Sequence, residues 1–447
     1  MSPDGFVHLH VASGYSLQYG ASHPHTLVER AAEQEMDTLA LTDRGGLYGA
    51  IRFATACARS GIAPVVGADL AMAPLRPAAR RRPSTPAKGG AVRDVRLPRA
   101  VVLATSRIGW ASLCRLLSAT HAAGQRGEPV CTHELIGAHG RDLLVMLGAD
   151  SRVGAALGAG DEAAAEAELV RWRDVVEPHQ LVLAVTHHQV PGTGPGSGAL
   201  AGRMLAWADR HRVVGVLSHD VRMAAKHLAP TLDVLDSARR LVPLDSRNVD
   251  RRNAEGYLKS GKEMMPLAET VSALAGRRDA EQLIADTRMV AIRSRLDPRA
   301  DIGLGEIHLP EFEVLGGTGG DAAGELYRRC EAGLTQRYGT PDGRVLGRLA
   351  EELDIINHLG FASYFLTVAD VTVAIRELGI RSAARGSGAG SLVNYLLGIS
   401  GVDPIRHGLL MERFLSPLRA ALPDIDLDVE SARRTEVYDK ILEHFGT

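Results

Sequence analysis

The apolar positions divide the chain into two regimes. Up to about residue 285, short apolar runs such as 38–41 and 63–66 alternate with longer stretches of helical composition, among them the Ala/Glu-rich 162–170. Such alternation predicts an α/β unit, a barrel built on parallel strands with helices between them. Further along, Leu349, Leu353, Ile356 and Leu359 recur at spacings of three and four, the stripe of a helix packed on one side, and Gly360 supplies its stop. The mostly apolar stretch 392–397 reads as a helix opening behind a glycine-rich turn. At Pro423-Asp424-Ile425-Asp426-Leu427-Asp428-Val429 the period drops to two. Ile, Leu and Val favour a pleated strand, so Asp424, Asp426 and Asp428 share one face while their apolar neighbours turn to a core.

A chain of 447 residues has room for about three domain-sized units. The expected division is a barrel over 1–285 and a second domain over 286–447, with the crossing near 279–309. A hydrophobic fraction of 45% with 23% charged residues is that of a soluble globular protein. Cys57, Cys114, Cys131 and Cys330 lie far apart with no Cys-x-x-Cys pair, which argues against a zinc knuckle and a disulfide framework and for a reducing cytoplasm. No run approaches 18 apolar residues and no signal segment opens the chain, so no membrane is expected. The net charge of -2 hides local excesses. Residues 73–99 carry eight Lys or Arg against Asp94 among prolines and glycines, an inserted surface loop with DNA contact as the lesser reading. Residues 376–419 carry six arginines against three acids, a balance suited to phosphate.

Carboxylates held as close as those of the acidic strand repel one another, and divalent cations with oxygen ligands, magnesium above all, relieve that repulsion. An EF-hand loop is excluded, because its sixth and twelfth positions fall on Val429 and Thr435 rather than Gly and Glu. A solvated acidic edge strand is the alternative. About forty residues upstream, Arg385-Gly386-Ser387-Gly388-Ala389-Gly390-Ser391 lets backbone N–H groups approach an anion at a helix N-terminus, with Arg385, Ser387 and Ser391 as further donors. It is neither a Walker A loop nor a G-x-G-x-x-G turn, and an ordinary turn is its plain alternative. Together, acidic strand, glycine turn and arginines describe phosphoryl or nucleotidyl transfer.

The stretch from Arg348 to about residue 446 resembles the catalytic palm of bacterial C-family DNA polymerases, the alpha subunit of DNA polymerase III. The residues that carry the resemblance are Leu359-Gly360-Phe361-Ala362-Ser363-Tyr364-Phe365-Leu366, the turn 385–391, Leu397-Gly398-Ile399, Asp403-Pro404, Glu412-Arg413-Phe414-Leu415 and the acidic strand. It implies a nucleotidyltransferase-like, polymerase-beta-like palm in which Asp424 and Asp426 bind two Mg2+ ions, with Asp428 a weaker ligand. It assigns Arg385, Gly386 and Ser387 to the incoming triphosphate, together with Gly388 and Ser391 of the same turn and Arg413 nearby. The shortened turn 380–384, with Glu430 and Arg433-Arg434, lies closer to the error-prone, damage-tolerant branch.

The N-terminus is similar to the PHP (polymerase and histidinol phosphatase) domain of the same family through Phe6-Val7-His8-Leu9-His10, Tyr15-Ser16, 27–32, Leu39-Ala40-Leu41-Thr42-Asp43, Gly46-Leu47-Tyr48-Gly49 and Gly67-Ala68-Asp69-Leu70. It implies a distorted (β/α) barrel. Read without a family, His8-x-His10 looks like a zinc pair. In the family register, His10 takes the first histidine position, Ala12 the second, Arg44 replaces a histidine and Ala184 a glutamate. His10, Asp43, Asp69 and Asp220 remain as residual positions, and a structural barrel that has lost its chemistry is the favoured reading. His187-His188 and His23-x-His25 read as surface or loop histidines.

The resemblance implies primer-template DNA and deoxynucleoside triphosphates as substrates, a sliding clamp and replisome subunits as partners, and a cytoplasmic, nucleoid-associated place. Rivals are a PHP-type metal-dependent phosphoesterase or exonuclease and a non-catalytic DNA-binding module. In the family a further catalytic aspartate, the thumb and the fingers follow later, so the expectation is an incomplete polymerase. The chain alone is predicted not to extend a primer. Magnesium-dependent extension by purified chain, abolished by Asp424→Ala, would contradict this.

Overall fold

The computed structural model describes residues 5–74, 97–124, 129–249, 251–312, 321–416 and 422–445, and most of the basic stretch 73–99 lies outside them. Two compact units divide the chain, Met1–Gly305 and Glu306–Thr447.

In the first unit, strands β1 (Thr38–Arg44), β2 (Ala63–Ala71), β3 (Arg99–Ala104), β4 (Leu143–Leu147), β5 (Leu181–Thr186) and β6 (Val214–Ser218) form one sheet in chain order that curls into a half-barrel. The helices around it are α1 (Pro24–Glu33), α2 (Ala50–Ser60), α3 (Arg107–Ala123), α4 (His133–His139), α5 (Arg152–Ala159), α6 (Glu162–Arg173), α7 (Gly198–Arg210), α8 (Ala229–Arg240), α9 (Gly261–Leu274) and α10 (Ala280–Arg293). The strands expected at 38–41 and 63–66 and the helix at 162–170 are all present, each longer than its sequence signal. Parallel pairing fails at one strand. The pairs β1–β2, β4–β5 and β5–β6 are parallel, whereas β3 runs antiparallel to both β2 and β4. No described helix lies between β2 and β3, and parallel neighbours need a crossover of the βαβ kind.

The sheet is covered on both faces, which is why its strands read as continuous apolar runs. Leu39, Leu41, Val66, Val102 and Val145 pack into the helix-side core, while Ala40, Val65, Val101, Leu103, Leu144 and Met146 fill the inner core. The boundary expected at 285/286 falls within α10, which packs on α9 and β6, and the compact unit runs on to Gly305.

The second unit holds α11 (Ala322–Tyr338), α12 (Gly343–His358), α13 (Ala362–Glu377), β7 (Ser382–Arg385), α14 (Leu392–Leu396), β8 (Asp426–Val429) and α15 (Arg434–Phe445). Asp342 caps α12 by accepting from the amides of Arg344 and Val345, and Gly360, at φ +73, ends its run. Leu349, Leu353 and Ile356 are buried with Phe365, Leu366 and Phe414, so the helical stripe faces the core as expected. Among the described residues the unit is helical apart from the two-stranded β7–β8 sheet. No single described helix is long and apolar enough to cross a membrane; α12 and α13 pass that test only as a pair, bent by 112°.

Inside the first unit, the His8 ring is fully buried and its Nε2–H donates to the Lys259 carbonyl at 2.8 Å. Burial lowers its pKa to about 4, with the carbonyl bond opposing. The unfolded chain therefore takes up this proton first, near pH 6.5. Stability that is complete above pH 6.5 should fall by up to about 3 kcal/mol as the pH drops to about 4. Urea unfolding across this range should show a flatter acid limb for His8→Gln than for the unaltered chain. An equal limb would show that other groups set it.

Candidate active site

The antiparallel pairing of β7 with β8 sets Arg385 opposite Asp426, Ala384 opposite Leu427, Ala383 opposite Asp428 and Ser382 opposite Val429. Because the glycine turn leaves directly from the end of β7, this register brings the acidic strand alongside the start of the turn. Asp426 and Asp428 share the outer face, their side chains 47% and 64% exposed. Leu427 and Val429 face inward against Ile375, Ile380 and Val437. Asp424 lies two residues ahead of the strand rather than in it, and is exposed. Tyr364 steadies this approach: its hydroxyl oxygen accepts from the Ile425 amide at 3.2 Å. Burial, then the charges of Asp424 and Asp426, hold the phenol above its ordinary pKa, against the opposing Ile425 bond.

Arg385 does not point away into an empty seat. Its Nη2 lies 3.4 Å from Asp426 Oδ2 and its Nε 3.4 Å from Asp428 Oδ1, so the guanidinium bridges the two carboxylates. Among the described residues no group of three or more His, Cys, Asp or Glu side chains converges on a common point. Exposed carboxylates on one face and open to water are nonetheless of the donor type that magnesium takes. That ion takes one or two protein carboxylates and completes its shell with waters and substrate phosphates.

The glycine turn differs from the sequence expectation in its inner half. Arg385, Gly386 and Ser387 are exposed, and Gly386 uses φ +72, which its lack of a Cβ permits. Arg413 is also exposed, in a short 3-10 turn that packs beside it. Gly388 and Ser391 are buried. The seat at the start of α14 belongs to the protein itself: the carboxylate of Glu352 accepts from Ser391 Oγ at 2.9 Å and from the amides of Leu392 and Val393 at 3.0 Å each. Arg348 Nε donates to the same carboxylate at 2.7 Å. The hydroxyl proton of Ser391 is thus given to an internal carboxylate. The sequence did carry a signal for this. Glu352 falls on the buried stripe with Leu349, Leu353 and Ile356, and a charge in a core stripe demands a partner.

In the first unit the structure brings His10, Asp69 and Asp220 together and saturates Asp43. His10 Nδ1 bonds Asp220 Oδ1 at 2.9 Å and its Nε2 lies 3.7 Å from Asp69 Oδ2. Burial disfavours the charged ring, but the carboxylates outweigh it and raise the pKa of His10 well above the usual value. Burial likewise opposes ionisation of Asp69, yet Arg99 at 2.7 Å and Arg44 at 3.3 Å, with His10, keep its carboxyl well below the usual range. Asp43 accepts from the Ser13 amide and from the hydroxyls of Ser13 and Ser16, at 2.7 to 2.9 Å. Arg44 and Arg222 both stack on the Tyr19 ring, at 3.3 and 4.0 Å. Ala12 and Ala184 are buried and bring no ligand atom. Arg44 and Arg99 thus hold Asp69, His10 takes Asp220 and serine donors saturate Asp43, a donor set that does not fit a metal cluster.

Residues 8–188 match the PHP domain, and residues 324–447 match the bacterial DNA polymerase III alpha NTPase domain. Across 99% of its length the chain is 35% identical to the error-prone DNA polymerase of Mycobacterium bovis, of which it covers 38%. Across its whole length it is 31% identical to the DNA polymerase III subunit alpha of Mycobacterium leprae, of which it covers 37%. Among solved structures, an amidohydrolase from Chromobacterium violaceum aligns with 48% of this chain and 87% of its own, at 16% identity and a TM-score of 0.32.

The Glu352 seat makes a stability prediction. Glu352→Ala leaves three inward donors and Arg348 without their acceptor, and removing one partner of a buried charge pair costs about 3–5 kcal/mol. Denaturant unfolding of the second unit should show a loss of that order, against less than about 1 kcal/mol for the exposed Glu436→Ala. Equal losses would contradict the assignment.

Proposed function

We propose that this chain, which carries a PHP domain followed by a DNA polymerase III alpha NTPase segment, belongs to an enzyme of templated nucleotidyl transfer from deoxynucleoside triphosphates to a primer 3'-hydroxyl. The observation that carries the reading is the β7–β8 register, which sets exposed carboxylates of one strand beside the start of a glycine turn. Asp424 and Asp426 would hold Mg2+, with Asp428 in support. When bound, the ions neutralise phosphate charge and lower the pKa of the attacking hydroxyl. Arg385, Gly386 and Ser387, with Arg413, would orient the triphosphate and stabilise charge on the departing pyrophosphate. Gly388 and Ser391 would back the turn from within.

The bridging position of Arg385 gives it two uses. In the bare chain it offsets repulsion between Asp426 and Asp428; with nucleotide present it would turn to phosphate, leaving the carboxylates to cations. Exposed ion pairs of this kind are worth about 0–1 kcal/mol, so the exchange has a low barrier in free energy. The barrel would serve as a structural domain. The slightly higher identity to error-prone relatives, and the short β7 approach, favour the damage-tolerant branch. Primer-template DNA, a sliding clamp and replisome subunits would be its partners, in the cytoplasm and at the nucleoid.

Titration of purified chain with Mn2+, followed by electron paramagnetic resonance, tests the site. Asp424→Asn/Asp426→Asn should weaken binding by at least about tenfold, equivalent to about 1.4 kcal/mol, and Asp428→Asn by less. Arg385→Gln should strengthen metal binding without nucleotide while weakening binding of a deoxynucleoside triphosphate. Unchanged metal affinity in the double variant would sink the reading.

A further inference from the structure

We infer that Glu352 is a positioning residue for the nucleotide-handling turn: an internal carboxylate that fills the turn's own anion seat and thereby fixes which donors face a triphosphate. The inference rests on the proposed reading of 385–391 as the triphosphate turn.

Glu352 is wholly buried on α12, and it accepts hydrogen bonds from Ser391 at the end of the turn, from the first two amides of α14 and from Arg348 one helical turn away. Ser391 Oγ donates to it while accepting from the Asn394 amide at 3.2 Å, so one hydroxyl links the carboxylate to the first turn of α14. Arg348 also donates from Nη2 to the carbonyls of Gly390 at 3.2 Å and Leu409 at 3.4 Å. This ties the end of the turn to the segment that leads to Arg413. Gly390 is pressed so closely there that an added Cβ would stand 2.9 Å from the Leu410 carbonyl oxygen. Asn394 Nδ2 holds the middle of the turn by donating to the Gly388 carbonyl at 2.9 Å.

The consequence is a division of labour within nine residues. Donors at 391–393 aim inward at a permanent carboxylate and are unavailable to substrate. Those at 385–387 remain outward, on backbone that open space surrounds at Gly386. A phosphate can meet the outer donors only where the inner half holds them, and displacements well under 1 Å in such supports already degrade a site. Glu352 touches no reacting atom in this scheme. It acts through the turn.

Glu352→Gln keeps shape but loses charge, and it sets an amide donor against N–H groups. In the purified chain with Mg2+ and a fluorescent deoxynucleoside triphosphate, it should weaken nucleotide binding about tenfold and speed hydrogen exchange at the Leu392 and Val393 amides. In Glu352→Ala, formate should restore nucleotide affinity by refilling the seat, whereas chloride at equal ionic strength should not. If that variant fails to fold, Glu352→Gln carries the test. Unaltered nucleotide affinity in Glu352→Gln, alongside a loss in Arg385→Ala, would overturn the positioning role alone, as would formate acting no better than chloride. Absence of nucleotide binding by the unaltered chain would overturn the functional reading and the positioning role with it.

Discussion

Carboxylates that a fold buries or gathers must be neutralised, and in this protein arginine does so at four places that set the architecture. Asp69 meets Arg44 and Arg99, Asp236 meets Arg222 and Arg239, Glu352 meets Arg348, and Asp426 with Asp428 meets Arg385. The guanidinium is always charged and can bridge two acceptors at once, which suits it to sites where carboxylates lie close.

Burial decides what each of these pairings can become. Asp69, Asp236 and Glu352 are almost wholly enclosed, and breaking a buried pair by removing one partner costs several kcal/mol. Such pairs are fixed parts of the fold. Arg385, Asp426 and Asp428 have 64%, 47% and 64% of their side chains exposed, where an ion pair is worth little and exchanges easily with water, cations or phosphate. The same chemistry therefore gives locked pairs where the carboxylates are enclosed and an exchangeable one at the β7–β8 pairing. The carboxylates of Asp426 and Asp428 stand open to solvent.

The two units also differ in how the backbone presents its groups. In the barrel, the side chains that once read as a zinc pair part ways. His8 turns into the protein and bonds the Lys259 carbonyl, while His10 turns to Asp220 and Asp69. A regular strand would put residues two apart on one face; the bend at Leu9 between them separates the two rings. In the second unit, antiparallel pairing of two four-residue strands is enough to join a turn and an acidic segment some forty residues apart.

Local periodicity determined much of this from sequence alone. The helix ended by Gly360, the short strands of the barrel and the inward-outward alternation from Ile425 to Val429 follow from side-chain spacing, which backbone geometry fixes wherever the chain goes. What spacing cannot contain is which distant group fills a given seat. That Glu352 takes the amides at the start of α14, that Arg385 lies across Asp426 and Asp428, and that β3 runs against its neighbours were decided by tertiary packing. Each depends on segments brought together only once the core has closed, and no local propensity encodes the partner.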